Sequence, residues 1–366
     1  MKILSVFGTR PEAVKMAPVV MRLAGTPGVE SRVCVTAQHR QMLDQVLELF
    51  DIQPDYDLNL MRDNQSLAEL SAAIFTHLDP VLADFQPDWV LAQGDTTTVA
   101  ITSLLTYFRR IQFGHVEAGL RTHDKWQPFP EEINRRIAGV TADLHFAPTE
   151  WSKQNLLREG VDERMIKVTG NTVIDALQFV AKQPEPKEIT ELRNEKLGTK
   201  KLILVTAHRR ENFGKPLENI CRALIQLADL GDVEIVYPVH LNPNVQEPVN
   251  RLLRGVEHVT LLPPLDYLPL VHLMKHAALI LTDSGGIQEE APAFGIPTLV
   301  LREVTERPEG VQAGTLKLAG TETSRIVQEA QRLLTDASAY AAMSRAANPY
   351  GDGRAAEKIV HALLEP

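Results

Sequence analysis

The sequence predicts an α/β protein made of two doubly wound, Rossmann-like domains that face a cleft. Short apolar runs alternate with amphipathic helical stretches along most of the chain, and this alternation is typical of parallel sheets. The alternation occurs as two separate series. The length of 366 residues also exceeds the roughly 250–300 residues at which a single core stops growing.

Each series supplies its own set of predicted strands. The first set comprises Lys2–Gly8, Ser31–Ala37, Trp89–Gly94, Ile111–Val116 and Leu144–Ala147. The second set comprises Lys201–Ala207, Glu234–Val239, Leu279–Asp283 and Thr298–Arg302.

We predict an N-terminal domain over residues 1–170 and a C-terminal domain over residues 171–353. A helix from Thr172 to Ala181 leads from one domain to the other, and the charged segment 182–200 looks like a surface connection. The last residues, 354–366, read as an amphipathic helix that can pack back on the first domain.

Composition excludes several classes of partner. The chain has 38 Lys and Arg against 47 Asp and Glu, a net charge of −9, which argues against nucleic acid and anionic membranes. No run of 18 apolar residues predicts a membrane span, and no signal peptide is expected. The two distant cysteines, Cys34 and Cys221, read as buried thiols and favour a reducing cytoplasm.

Chemically active residues follow the predicted strands of the first half. Because ligands of parallel sheets bind beyond the carboxyl ends of the strands, these positions are the candidate site. Arg10 stands at a helix start, where phosphate binds well, although a solvated Arg would look the same. Asp95 and Glu117 follow adjacent strands, and crowded carboxylates can serve as acid and base. Glu131 opens a helix, a place where acids are also common without function.

The second half offers groups suited to a nucleotide diphosphate. Two glycines at Ser284-Gly285-Gly286 lie between a strand and a helix, where free N–H groups can hold phosphate. One turn later, Glu289 or Glu290 can accept hydrogen bonds from a ribose. His208 is followed by two arginines at a strand end, which favours a place beside phosphate.

Other motifs fail on inspection. His272 and His276 have the spacing of metal ligands on a helix, but no third ligand follows them, so we interpret them as structural. The chain has no P-loop and no Gly-x-Ser-x-Gly nucleophile elbow.

Six groups of motif residues occur in order along the chain. They are Phe7-Gly8-Thr9-Arg10-Pro11-Glu12, Gly94-Asp95-Thr96-Thr97-Thr98, His115-Val116-Glu117-Ala118-Gly119-Leu120-Arg121, Pro130-Glu131-Glu132 with Asn134-Arg135, His208-Arg209-Arg210-Glu211-Asn212 and Asp283-Ser284-Gly285-Gly286-Ile287-Gln288-Glu289-Glu290. Together these motifs resemble the bacterial UDP-N-acetylglucosamine 2-epimerase family of the non-hydrolysing type, and the resemblance runs from about Lys2 to Asp352.

The resemblance implies a glycosyltransferase-B architecture. It also implies interconversion of UDP-N-acetylglucosamine (UDP-GlcNAc) and UDP-N-acetylmannosamine (UDP-ManNAc) without NAD or metal, by a cytoplasmic homodimer. Carried over residue by residue, the acid–base groups are Asp95, Glu117 and Glu131, assisted by His208. The implied substrate contacts are Arg10, Lys15, Arg209, Leu265, Leu270, Ser284, Gly285, Gly286, Glu290 and Arg307.

Regulation by a second UDP-GlcNAc molecule is also implied. Gln38, His39 and Gln41 match the family's allosteric segment, whereas Asn64 stands where some members carry a basic residue. Three alternatives remain: a hydrolysing 2-epimerase that releases ManNAc and UDP, a UDP-sugar glycosyltransferase of the same architecture, and a nucleotide-sugar sensor.

Overall fold

A computed structural model describes residues 1–37, 40–60, 62 and 64–365. The chain forms two compact units. Unit 1 contains Met1–Ala176 and Tyr350–Pro366, and unit 2 contains Leu177–Pro349. Residues 171–176 and 350–353, which the sequence prediction assigns to the second domain, thus belong to unit 1.

The core of unit 1 is a seven-stranded parallel sheet in the order β3-β2-β1-β4-β5-β6-β7. Because β1 lies between β2 and β4, the strand order reverses there, and this creates a switch point beside the carboxyl ends of β1 and β4. The strands are β1 (Lys2–Phe7), β2 (Glu30–Val35), β3 (Tyr56–Asp57), β4 (Trp89–Gln93), β5 (Gln112–Val116), β6 (Leu144–Ala147) and β7 (Ile166–Val168).

Unit 2 contains a six-stranded parallel sheet in the order β10-β9-β8-β11-β12-β13. Its switch point lies between β8 and β11. The strands are β8 (Lys201–Thr206), β9 (Val233–Pro238), β10 (Val259–Leu262), β11 (Leu279–Thr282), β12 (Thr298–Val300) and β13 (Leu316–Leu318).

Helices connect the strands. In unit 1 they are α1 (Arg10–Ala24), α2 (Arg40–Leu49), α3 (Leu67–Phe85), α4 (Thr97–Arg109), α5 (Glu131–Thr141) and α6 (Glu150–Arg158). Helix α7 (Thr172–Val180) runs from unit 1 into unit 2. The remaining helices are α8 (Lys187–Leu192), α9 (Lys215–Ala228), α10 (Pro243–Leu253), α11 (Tyr267–His276), α12 (Gly285–Glu290), α13 (Pro308–Gln312), α14 (Thr323–Thr335), α15 (Ala337–Ser344) and α16 (Ala355–Leu364).

Each sheet has its own apolar core. In unit 1, Leu4, Val6 and Phe113 of the sheet pack with Ile74 and Leu78 of α3. In unit 2, the fully buried ring of Tyr237 packs in the corresponding core, and its hydroxyl donates to the carbonyl of Ala207 at 2.5 Å. Helix α16 packs against α1, so the C-terminal helix belongs to unit 1.

The predicted doubly wound α/β fold is confirmed, but the sequence analysis missed four strands. These are β3, β7, β10 and β13, and each lies at an edge of its sheet. Segment 182–200 is also more ordered than predicted, because it contains α8 and anchors Ile189 in the interior.

Cys34 and Cys221 are both free and buried, as the sequence analysis expects. Burial raises the pKa of each thiol to about 12, so neither is a ready nucleophile. Within the described residues, none of the helices is long and apolar enough to cross a membrane.

Candidate functional site

The turn after β1 is built around the buried carboxylate of Glu12. Thr9 caps α1, and Glu12 closes a capping box by accepting from the backbone N–H groups of Thr9 at 2.7 Å and Gly8 at 2.9 Å. Its other oxygen accepts the hydroxyl of Thr96 at 2.6 Å, which joins this turn to the turn after β4. Burial raises the pKa of Glu12, and these hydrogen bonds offset part of the increase. Glu12 therefore connects the start of α1, which carries Arg10, to the turn that carries Asp95.

Asp95 follows β4 and is held by the first turns of α5. The guanidinium of Arg135 contacts Asp95 Oδ2 through Nη2 at 2.7 Å and Nε at 2.9 Å. The amide of Asn134 donates to the Asp95 carbonyl at 2.9 Å. A guanidinium that contacts a carboxylate through two nitrogens fixes its orientation as well as its charge.

Arg135 is in turn held by the buried carboxylate of Glu132, at 3.2 Å. Glu132 also accepts from the backbone N–H groups of Thr122 at 3.0 Å and His123 at 3.1 Å. Burial alone would raise the pKa of Glu132, but these N–H groups and Arg135 outweigh it, and the pKa is lowered. The result is a chain of contacts from Glu132 through Arg135 to Asp95.

Glu117 follows β5 and adopts a left-handed backbone conformation, with φ of 65°. Non-glycine residues seldom adopt such a φ outside functional or tightly constrained sites. Its carboxylate, in a residue only 9% exposed, forms an ion pair with Lys15 and accepts hydrogen bonds from the amides of Gln93 and Asn171. The structure thus places the ammonium of Lys15, predicted to bind phosphate or sugar, on this carboxylate.

Glu131 differs from the other two predicted acid–base groups. It is the first residue of α5, and its Oε2 atom is buried without a hydrogen-bond partner among the residues that the structure describes. A carboxylate oxygen in this position is available to a ligand atom or a proton. Because Asn134 in the same helical turn contacts the carbonyl of Asp95, the structure brings the start of α5 close to the end of β4.

In unit 2, Asp283 organises the turn that follows β8. This fully buried residue accepts from the backbone N–H groups of His208 and Arg209 and from the amide of Asn212. The ring of His208 stacks on that of His240, with 5.1 Å between centroids. Burial lowers the pKa of His208, Asp283 opposes that change, and His240 and Arg209 add to it, so the imidazole is neutral at pH 7.

Gly285, the first of the two glycines after β11, admits a close neighbour. A Cβ atom on Gly285 would come within 3.0 Å of the guanidinium carbon of Arg307. Arg307 is also paired with Glu289 at 2.9 Å, at the end of the same short helix, α12. Ser284 is the N-cap residue of α12, and its backbone N–H donates to the Thr282 hydroxyl at 2.9 Å. The structure therefore brings together Arg307 and the predicted diphosphate loop.

Glu290 is the last residue of α12, next to Glu289, and it accepts the hydroxyl of Tyr267 at 2.8 Å. Leu265 precedes α11 and Leu270 lies in its first turn, both half-buried. Because Tyr267 belongs to α11, this contact joins the predicted ribose carboxylate to the helix that carries Leu270.

Some predicted residues lie elsewhere or outside the description. Gln38 and His39 fall outside the described residues, as does the side chain of Gln41 in α2. His276 contacts Glu185 at 2.5 Å, and His272 lies 3.9 Å from the same carboxylate. The described part of the chain contains no group of three or more His, Cys, Asp or Glu arranged to hold a metal ion.

Sequence reasoning missed the residues that hold the predicted site in place. Arg135 and Asp283 stand inside the motifs of the resemblance but received no role. Gln93 and Asn171 also lie within the range of the family resemblance, but no local sequence pattern identifies either residue as a hydrogen-bond partner of Glu117.

The two sheets, each with reactive groups at its switch point, define a nucleotide-sugar enzyme of the glycosyltransferase-B type. Residues 21–364 match the model of the family described as UDP-N-acetylglucosamine 2-epimerase. The chain belongs to this family, as the motif resemblance predicts, and is an enzyme of the isomerase class.

Individual relatives agree over the full length. A UDP-N-acetylglucosamine 2-epimerase of Escherichia coli K12 is 58% identical, over 99% of this chain and 98% of the relative. The structure of the Neisseria meningitidis enzyme bound to UDP-GlcNAc has 49% identity and a TM-score of 0.90, covering 100% of both chains. The Methanocaldococcus jannaschii enzyme in complex with UDP-GlcNAc and UDP has 33% identity and a TM-score of 0.81, covering 99% of both chains.

Proposed function

We propose that the protein interconverts UDP-GlcNAc and UDP-ManNAc by eliminating UDP and adding it back, without hydrolysis. The observation that supports this most is the set of three carboxylates beyond β4 and β5 and at the start of α5. Asp95 and Glu117 are paired with cations, whereas Glu131 keeps a buried oxygen without a partner among the described residues. A protein that only binds nucleotide sugars, such as a sensor, has no need of three such carboxylates.

The proposed reaction has two steps. One carboxylate takes the proton from C2 while the C1–O bond to the diphosphate breaks with its electron pair, giving 2-acetamidoglucal and UDP. A diphosphate oxygen then attacks C1, and a second carboxylate returns a proton to the opposite face of C2. The atoms of substrate and product balance, and no oxidant, reductant or water is consumed.

C2–H is a weak acid, so the departing diphosphate must be stabilised while the proton leaves. Arg10, Arg209 and Arg307 would supply positive charge, and Ser284, Gly285 and Gly286 would supply backbone N–H groups. The neutral imidazole of His208 would assist as a hydrogen-bond donor beside the diphosphate. Glu290 would hold the ribose, with Leu265 and Leu270 near the uracil. The relatives solved with UDP-GlcNAc or UDP support this choice of ligand.

Incubation with UDP-GlcNAc in D₂O, followed by NMR of the sugar, tests the proposal. We expect deuterium at C2 of both epimers, with UDP attached to nearly all of the product. Free ManNAc as the main product would establish the hydrolysing alternative instead. A sample without C2 exchange in the absence of an acceptor would refute the epimerase mechanism and favour a glycosyltransferase.

We also propose that the enzyme is a homodimer. Tyr107 and Phe108 at the end of α4 are 66% and 64% exposed, and Phe108 stacks on Phe75 of α3 with 6.2 Å between centroids. Exposed neighbouring aromatics are unusual on a monomer and are enriched at protein interfaces. Light scattering of wild type and of Phe108→Glu tests this: we expect a dimer that the charge weakens, and a monomeric wild type would refute it.

Three further expectations follow from the sequence and the family resemblance. Two buried free thiols support a reducing cytoplasm as the location. UDP-ManNAc would feed the synthesis of a cell-envelope polysaccharide. A second UDP-GlcNAc bound by Gln38, His39 and Gln41 would regulate the reaction, and sigmoidal rate curves that become hyperbolic in Gln41→Ala would support such a site.

A further inference from the structure

Glu117 is held by a residue that lies just before the chain leaves unit 1. Asn171, 54 positions later in the chain, donates from its side-chain Nδ2 atom to Glu117 Oε1 at 3.0 Å. Asn171 is only 3% exposed, so this hydrogen bond forms away from water. A hydrogen bond to a charged acceptor in such surroundings fixes position strongly.

The orientation of the Asn171 amide is set at both ends. Its Oδ1 atom accepts the backbone N–H of Val173 at 3.1 Å, in the first turn of α7. A flipped amide would place the NH₂ group against that N–H and the oxygen against the Glu117 carboxylate. Both contacts would then be repulsive, so the chemistry of the two partners selects a single orientation.

The backbone of Asn171 is fixed as well. Its N–H donates to the carbonyl of Tyr350 at 2.7 Å, where the chain returns from unit 2 to unit 1. Beside this bond, a Cβ atom on Gly170 would lie 3.2 Å from the Cα of Gly351, so the two backbones touch. Asn171 thus connects Glu117 to both segments through which the chain passes between the units.

We propose that Asn171 is a positioning residue for the 2-epimerase reaction, which holds Glu117 in its working orientation. The inference rests on the proposed function, because it assumes that Glu117 transfers a proton. Its role differs from that of Lys15, which neutralises the charge of Glu117: the neutral amide sets direction alone.

Two substitutions separate positioning from helix capping. Asn171→Asp keeps the acceptor for Val173 but turns a carboxylate oxygen toward Glu117. Asn171→Ser keeps a capping hydroxyl but is too short to reach Glu117. Asp and Ser cap helices about as well as Asn, so a residue that only caps α7 would tolerate both changes.

The measurements are steady-state rates with UDP-GlcNAc, deuterium exchange at C2, UDP binding by calorimetry, and thermal unfolding. We expect kcat and C2 exchange to fall about 100-fold in Asn171→Asp and about 10-fold in Asn171→Ser. A displacement of a catalytic group by about 1 Å can lower the rate by about 100-fold. UDP affinity and KM should change less than about threefold.

Asp55→Asn is the stability control, because Asp55 accepts the backbone N–H of Val33 at 2.8 Å at the β3 edge of the unit 1 sheet, three strands away from β5 and Glu117. It should lower the melting temperature yet keep kcat well below that temperature. Unchanged kcat in both Asn171 variants, or losses that merely parallel those of Asp55→Asn, would overturn the role of Asn171 alone. A wild-type chain without C2 exchange would overturn the proposed function and this role together.

Discussion

Asp283 accepts the backbone N–H of His208 through both oxygens of its carboxylate, at 2.8 and 3.1 Å. The contact crosses from β11 to β8, the two strands that flank the switch point of unit 2. The position of the His208 loop is therefore set by a charge that lies wholly in the interior, and the next residue, Arg209, donates to the same carboxylate at 2.8 Å.

Asp283→Asn should loosen this loop. In the wild type, backbone N–H groups donate to the carboxylate of Asp283. In the variant, the NH₂ half of the amide faces such a donor, so at least one buried N–H group loses its hydrogen-bond partner. We expect unfolding in urea to show a loss of about 2–3 kcal/mol, with UDP affinity lowered at least tenfold. Asp232→Asn, at an exposed position before β9, is the control and should match wild type. Equal UDP affinity in both variants would show that Asp283 does not shape the ligand site.

Asp95→Asn and Glu117→Gln should each slow proton transfer severely while the binding of UDP persists. Removal of a general acid or base costs about 10²- to 10⁴-fold in rate. Calorimetry with UDP alongside steady-state kinetics separates the two effects, and the exposed carboxylate of Asp79 provides an Asp79→Asn control. Turnover at the wild-type rate in either site variant would remove that residue from the mechanism.

Arg135→Lys should be far more harmful than Arg136→Lys, although the residues are neighbours. Arg135 contacts Asp95 through two nitrogens, and a lysine ammonium cannot reproduce that planar geometry. Arg136 touches only the far side of this network, at 3.5 Å from Glu132. We expect kcat to fall about 10- to 100-fold for the first variant and less than twofold for the second. Similar kcat values in the two would contradict the contact chain from Glu132 to Asp95.

Acid should destabilise unit 1 through two buried histidines on adjacent strands, His115 and His145. Burial lowers the pKa of His115 to about 4 and that of His145 to about 3, from an ordinary value of 6.5. As pH falls below 6.5, the unfolded chain therefore binds protons that the folded chain does not, and stability is lost.

Urea unfolding between pH 7 and pH 4.5 should show this as a loss of about 2–5 kcal/mol. His145→Gln should make the slope shallower, since it removes one of the two groups. A slope that is identical in wild type and variant would show that carboxylates alone cause the acid sensitivity.

Gly351→Ala should disturb the place where the chain re-enters unit 1. Its φ of 121° disfavours any side chain, and a Cβ atom would lie 3.1 Å from the Cα of Gly170. We expect a stability loss of about 1–3 kcal/mol, with reduced kcat because Asn171 is adjacent. Gly160→Ala is the control, since Gly160 has a φ of 87° but open space around it. If kcat stays at wild-type level in a folded Gly351→Ala protein, the contact between Gly351 and Gly170 does not influence Glu117.

The sequence-based predictions succeed where the physical signal is local and fail where it is not. Interior strands such as β1 and β8 are continuous apolar runs because both faces are covered. The four missed strands are edge strands of two to four residues, and each has at most one buried side chain, so they lack that pattern.

The same distinction separates the site residues from the residues that hold them. Asp95, Glu117 and His208 lie within two residues of a strand end and could be found from their positions. Their partners join them only through folding, since Arg135 is 40 positions from Asp95 and Asn171 is 54 from Glu117. No periodicity or spacing within one element encodes such contacts.

The chain leaves unit 1 after residue 176 and returns at residue 350, and the hydrogen bond from Asn171 to Tyr350 keeps the exit and the re-entry together. Residues 177–349 therefore form one continuous insert in unit 1, which is the host. The side chains that hold the predicted acid–base carboxylates of Asp95 and Glu117 all belong to the host. They are Lys15, Gln93, Arg135 and Asn171. Recombination that exchanges the whole insert would replace the proposed diphosphate- and ribose-binding residues of unit 2 in one step. It would leave the three proposed acid–base carboxylates, with the residues that hold Asp95 and Glu117, as a single inherited module.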